Sequence, residues 1–293
     1  MKAPKTQPLL VEIGCEEIPA RFLDAARDEF GRSMLGALQE ARLLPAQTSP
    51  ALWFSTPRRL TVWVPEVLGK QPDQVEEIVG PPVRVAFDKA GNPTKAAESF
   101  AAKNSVELDT LARVTTAKGE YLAIKKTHRG KAAAQLLPRL ITNTVCGLSF
   151  PKSMYWAAKS GPRFVRPIRW LLALLGEGSK ARVVPFEIAG VQSGATTRGH
   201  RILGKGAVRV TGFMDYLKKL DGVGVQLDPS KRRVQVREQL KVLLQDSRMR
   251  VVEDDWLVEW VVNSTEWPSG LLGGFDQRFL HLPREILVTV MRD

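Results

Sequence analysis

Cysteine and histidine are scarce in this chain. Cys15 and Cys146 are its two cysteines in 293 residues, far apart and without CxxC spacing. A thiolate metal site or dithiol redox pair is therefore not expected, and both read as reduced thiols. The three histidines, His128, His200 and His281, are isolated, which argues against zinc. No apolar run approaches the ~18 residues of a membrane-crossing helix. The N-terminus, MKAPKTQPLL, has neither a long apolar core nor the small-residue cleavage site of a secretory signal. A soluble, cytoplasmic protein with no membrane partner is expected. The G-x-S-x-G serine signature is missing too.

Negative charge runs short in one region. The net charge is +12, with 12 Lys/Arg against 13 Asp/Glu in residues 1–100, 16 against 5 in residues 101–200, and 15 against 13 thereafter. A localised basic zone suits a polyanion, which yields free energy by releasing counterions from phosphates. A solvated face is the plain alternative. Here the cations are interleaved with aromatics. Lys125, Lys126 and Arg129 cluster near a strand end, and Lys152, Trp156, Lys159, Arg163, Arg166 and Arg169 follow. Arginine can grip phosphate through two N–H groups and aromatics can stack on unpaired bases. Trp156, Phe164 and Trp170, taken singly, are better read as core. The charge as a group reads as an RNA surface, and these nine residues are the candidate site.

Other motifs are weaker. Gly199 to Lys205 fits part of a phosphate loop, but Gly206 stands where a Ser or Thr is needed and a strand, not a helix, is expected next. Residues 270–274 are glycine-rich without the G-x-G-x-x-G spacing. Glu12, Glu16 and Glu17 suggest paired carboxylates, yet adjacent Glu16 and Glu17 cannot face each other. A helix-start role at the positive end of the dipole is the better reading.

Patterning predicts strands at 8–14, 60–64, 75–79, 121–126, 168–175, 182–188 and 207–210. It predicts helices at 19–43, 131–148 (kinked or interrupted at Pro138), 213–220, 228–249 and 256–262. Asn92-Pro93 is read as the cap and first position of a short helix through Lys103. The irregular alternation favours an α+β class, mixed sheets with packed helices. The expected organisation is an α+β domain over 1–227, a helical arm over 228–262, and a return to the core over 263–293. The abrupt end suggests a piece of a longer protein.

Several dense blocks exceed what amphipathic patterning demands: VEIGCEEIP at 11–19, STPRRL at 55–60, FDKAGNPTKAAESF at 87–100, KGEYL at 118–122, FPKSMYW at 150–156, FVRPIRW at 164–170, TRGHR at 197–201 and VNSTEWP at 262–268. In this order they resemble the N-terminal part of the β subunit of bacterial heterotetrameric glycyl-tRNA synthetase, over nearly the whole chain. Cys15 departs from the family's commoner Thr, which argues against a catalytic thiol. The resemblance implies a subunit of an α2β2 ligase joining glycine to tRNA-Gly. ATP, Mg and the aminoacylation site would belong to the α subunit, with no cofactor in this stretch. It also implies a fold similar to the editing-type domain of phenylalanyl-tRNA synthetase β chains. The expected role is noncatalytic tRNA binding and assembly with the α subunit. An editing hydrolase for mischarged tRNA and a pure scaffold are the alternatives. No catalytic residue is carried over.

Overall fold

The computed structural model describes residues 5–88, 91–116, 119–157, 161–204, 206–245 and 249–292. The apolar run after Thr6 forms the long strand β1 (Thr6–Cys15), followed by α1 (Ala20–Glu40). Leu23, Ala26, Phe30, Met34 and Leu38 recur every three or four residues and are all buried, so one face of α1 packs on the sheet. Next come β2 (Leu52–Thr56), the tight turn at Pro57-Arg58, and β3 (Arg59–Leu68). A strand between Pro50 and Pro57 is not expected from the sequence. β3 is not half-buried as its alternation suggests: Leu60, Val62 and Val64 face one layer, while Arg59 and Thr61 are equally buried on the other side.

The chain then leaves for a second sheet made of β4 (Gln74–Pro82), β5 (Ala112–Thr116) and β6 (Gly119–His128), ordered β4-β6-β5. The short helix α2 (Val83–Ala86) and α3 (Lys95–Asn104) cover it with a small core of Ala86, Ala97 and Leu122. α3 begins two residues later than expected. Asp88 takes the backbone N–H of Asn92 into a turn, and Thr94, not Asn92, precedes the helix. A bridge between Lys70 and Ala132 returns the chain to the first sheet. α4 (Ala133–Cys146) runs unbroken through Pro138, which corrects the expected interruption. Its apolar face, Leu137, Ile141 and Val145, is buried beside α1 and holds the helix together.

β7 (Met154–Tyr155) and β8 (Arg163–Phe164) pair as a short ribbon. β9 (Ile168–Leu175) then lies antiparallel to β1. The expected strand at 182–188 is two pieces, β10 (Arg182–Val183) and β11 (Glu187–Ile188), since Pro185 between them cannot donate to a ladder. With β12 (Val191–Gly194) they complete a sheet ordered β11-β12-β9-β1-β3-β2, with β10 also on β9. β13 (Thr196–Arg198) pairs with β14 (Ala207–Arg209). The helices α5 (Phe213–Asp221), α6 (Pro229–Leu244), α7 (Asp255–Ser264) and α8 (Arg284–Arg292) follow. Asp228 caps α6 by accepting from the Ser230 N–H, with Pro229 in the first turn, as read; α6 ends short of Met249.

The fold is a mixed α+β arrangement with several sheets. β1 lies at its centre with both faces buried. Leu9, Val11 and Ile13 meet α1 and α4, whereas Leu10 meets Leu172, Leu174, Phe213 and Tyr216 on the α5 side. None of the described helices is long and apolar enough to cross a membrane.

Candidate functional site

Toward its Gly14 end, the α5-facing side of the sheet changes from apolar to charged. Arg59 opens β3 on that side and is fully buried. A buried guanidinium is tolerated only when its donors are used, and here they are. Nη1 donates to Glu12 (3.2 Å) and Thr197 (3.3 Å), and Nη2 to Glu266 (2.9 Å) and the Arg198 carbonyl (3.0 Å). Nε donates to Thr56 and Glu266, both at 3.1 Å. Burial holds the Glu12 carboxyl above its ordinary value, although Arg59 and Thr197 pull the other way. Burial also pushes Glu266 upward, but Arg59, Thr56 and Arg58 bring it below the ordinary carboxylate value.

A second buried arginine, Arg232 of α6, ties the helices to this end. It donates to the carbonyls of Val262, Gln226, Leu227 and Ser55 at 2.7–3.0 Å. Burial lowers its pKa to about 10. Arg233 adds an ion pair with Glu259 between α6 and α7.

Trp170 lies over the network. The guanidinium carbons of Arg58, Arg59 and Arg198 stand 5.5–5.6 Å from its ring centroid, within cation–π range. The indole rests directly on the β1 backbone. A Cβ on Gly14 would fall 1.8 Å from the ring, so this position requires glycine.

Above Trp170 the site opens to solvent. Glu16 accepts from Arg169 Nε and Arg201 Nη2, both at 2.7 Å, while Arg201 Nη1 lies 3.4 Å from Glu17. Arg166 donates to the Glu17 carbonyl (3.0 Å) and Arg58 to the Gly199 carbonyl (3.4 Å). The Arg169 hydrogen bond holds the Glu16 carboxyl below its usual value. This corrects the helix-start reading: α1 begins at Ala20 with no acidic residue in its first turn, and Glu16 and Glu17, outside the helix, are met by arginines from two other blocks.

The nine candidate residues are not brought together. Arg166 and Arg169 are at this surface. Arg163, on β8, lies over the Tyr155 ring at 5.3 Å. Trp156 is half-buried, packed on the main core and edge-on to Phe164. Lys152 is exposed near it. Lys125 and Lys126 are exposed on the second sheet, opposite Glu77 and Glu76, with Arg129 exposed just beyond. Lys159 lies outside the described residues. Phe164 and Trp170 are buried, in line with the core reading. Arg58, Arg198, Arg201 and Glu16 were missed as members of one surface, although the density of PRR and TRGHR was the available signal. The glycines of the loop-like stretch serve packing. A Cβ on Gly204 would meet the Val223 carbonyl at 2.5 Å, and His200 Nδ1 accepts from the Ile202 and Leu203 N–H groups.

Cys15 is buried and its thiol is pushed far up by burial, and Glu12 is committed to Arg59 and Thr197. The exposed groups are the guanidinium groups of Arg169, Arg198 and Arg201 together with the Glu17 carboxylate, and guanidinium groups suit anions. The sequence family described as glycyl-tRNA synthetase beta subunit matches residues 9–293 of the chain. The chain belongs to this family. Glycine–tRNA ligase beta subunits are similar to it at 44% identity in Acidobacterium capsulatum, 40% in Myxococcus xanthus and 38% in Bacillus subtilis. Each alignment covers 97–98% of this chain and 39–41% of the relative, so the chain spans about two fifths of their length. Within the chain, the blocks VEIGCEEIP, STPRRL, FVRPIRW, TRGHR and VNSTEWP meet around Arg59 and Trp170.

Proposed function

We propose that this chain serves in a glycine–tRNA ligase as the noncatalytic, tRNA-binding part of the β subunit. In this reading it assembles with the α subunit as an α2β2 enzyme in the cytoplasm. Attachment of glycine, with ATP and Mg, takes place on the α subunit. The observation that carries the reading is the open arginine surface over Trp170, set above groups that are buried and committed. Such a surface recognises phosphates and positions an RNA without reading its sequence. A fold similar to the editing-type domain of phenylalanyl-tRNA synthetase β chains belongs to the same proposal. The sealed Cys15 and the paired Glu12 favour recognition over hydrolysis. Assembly rests on the subunit naming of the relatives and is checked by co-purification with the α subunit, with and without tRNA.

Replacing Arg166, Arg169 and Arg198 together with Ala tests the RNA reading. Weaker tRNA binding and a flatter salt dependence are expected. An identical curve and slope would remove the assignment. Turnover of mischarged tRNA-Gly by the full chain above the uncatalysed rate would favour the hydrolase instead.

A further inference from the structure

Glu16 is gripped as though it were another ligand. Its two carboxylate oxygens each take a 2.7 Å hydrogen bond from a different arginine, Oε1 from Arg169 and Oε2 from Arg201. Planar guanidinium donors closing on two oxygens of one anion form the geometry in which arginine holds phosphate. The grip is also reachable: the side chains of Arg169, Arg201 and Glu16 are 51%, 53% and 34% exposed. Lifting the carboxylate away would therefore leave the buried network under Trp170 intact. Each arginine keeps further N–H donors, although Arg201 Nη1 also lies 3.4 Å from Glu17, and the exposed Arg198 stands over the neighbouring Trp170 ring.

We infer that Arg169 and Arg201 form a phosphate-binding pair that the Glu16 carboxylate occupies in the free chain, and that a phosphodiester of a bound RNA displaces it. The identity of the anion rests on the RNA reading above; the existence of the site does not. Exposed arginine–carboxylate pairs are weak and screened by salt, so the exchange needs no large driving force. Glu16 holds two like charges side by side and raises the threshold for stray anions. A polymer that also reaches the exposed Arg198 gains the extra contacts needed to take its place.

A double-mutant cycle tests this. The full chain and its Glu16→Gln variant are titrated with tRNA and, separately, with inorganic polyphosphate at fixed salt. Glu16→Gln should tighten both by roughly two- to tenfold, the range for releasing one or two exposed ion pairs. Arg169→Ala with Arg201→Ala should loosen both and reduce the salt slope by up to about 2. The deciding arm is Glu16→Gln within the double-arginine variant, where no tightening is expected because nothing is left to release. Equal tightening in that background would mean a general charge effect and overturn the site, as would unchanged or weaker binding by Glu16→Gln alone. Thermal unfolding verifies that each variant is folded, and Arg201→Gln alone can carry the deciding arm with a reduced tightening. If no variant binds tRNA but polyphosphate shows the coupling, the RNA reading fails and the anion site stands.

Discussion

Gly14 and Trp170 occupy one space. The indole sits where any β-carbon on Gly14 would be, 1.8 Å away, so the strand and the aromatic are specified as a pair. Gly14→Ala must displace the ring or bend β1, and overpacking of this kind costs about 1–3 kcal/mol. Because Trp170 carries three guanidinium neighbours, the displacement should also change its fluorescence. Urea unfolding monitored by tryptophan emission checks both; a neutral variant would mean that β1 yields easily.

Arg59→Ala should be among the most damaging single substitutions. It strands Glu12, which is 0% exposed, and leaves Glu266 with only the more distant Arg58 at 3.8 Å, and leaving a buried carboxylate without its cation costs about 3–5 kcal/mol. Denaturant titration gives the loss directly. A loss under about 1 kcal/mol would mean that water reaches the site and takes over the arginine's role.

Arg232→Ala should loosen α6 and α7 more than the sheet. Its guanidinium satisfies four carbonyls that join residues 226–227, 262 and 55. Faster amide exchange in α6 and α7 with near-unchanged protection of β1 and β9 is expected.

Much of the scaffold is legible from sequence, and the reasons are local. Periods of two or of three-and-four expose β1, α1, β6, β9 and α5 directly, and Asp228-Pro229-Ser230 announces α6. β2 escapes because the six residues between Pro50 and Pro57 offer too short a pattern. Arg59 escapes for another reason: charge in a sequence reads as surface, and only the pairing of β1 with β3, with Glu266 arriving from the far end, shows it to be interior. Glu16 escapes likewise, since its partners Arg169 and Arg201 are 153 and 185 residues away. The basic zone is read correctly as charge but too literally as one place. Lys125 and Lys126 lie on another sheet, each facing a glutamate.

That pairing has a measurable consequence. With Glu77 and Glu76 opposite them, Lys125 and Lys126 add little net field, so replacing both with Ala should weaken tRNA binding by less than about threefold. Replacing Arg198 and Arg201 should cost more than about tenfold, as loss of charge-assisted contacts does. Parallel titrations at one salt concentration compare them, and the reverse order would move the RNA surface to the second sheet.

Acid should weaken the Glu16 grip. The folded carboxyl lies below its usual value of 4.5, so its ion pairs contribute fully above that value and are lost as the pH falls through the lower folded one. The melting-temperature gap between the wild type and Glu16→Gln should be flat at neutral pH and close in this acid range. A gap persisting below it would assign the difference to packing.

Glu266 reaches Arg59 across 207 residues of chain and Glu12 lies 47 residues from it on the other side. During synthesis, β1 and β3 can pair long before residue 266 exists. Until it emerges from the ribosome, Arg59 lacks its second carboxylate and Arg232 its Val262 carbonyl. The early body must therefore wait, hydrated at its polar end, for the late segment to seal it. Premature termination anywhere before the STEWP block should leave a product with that end open, a ready target for chaperones and proteases.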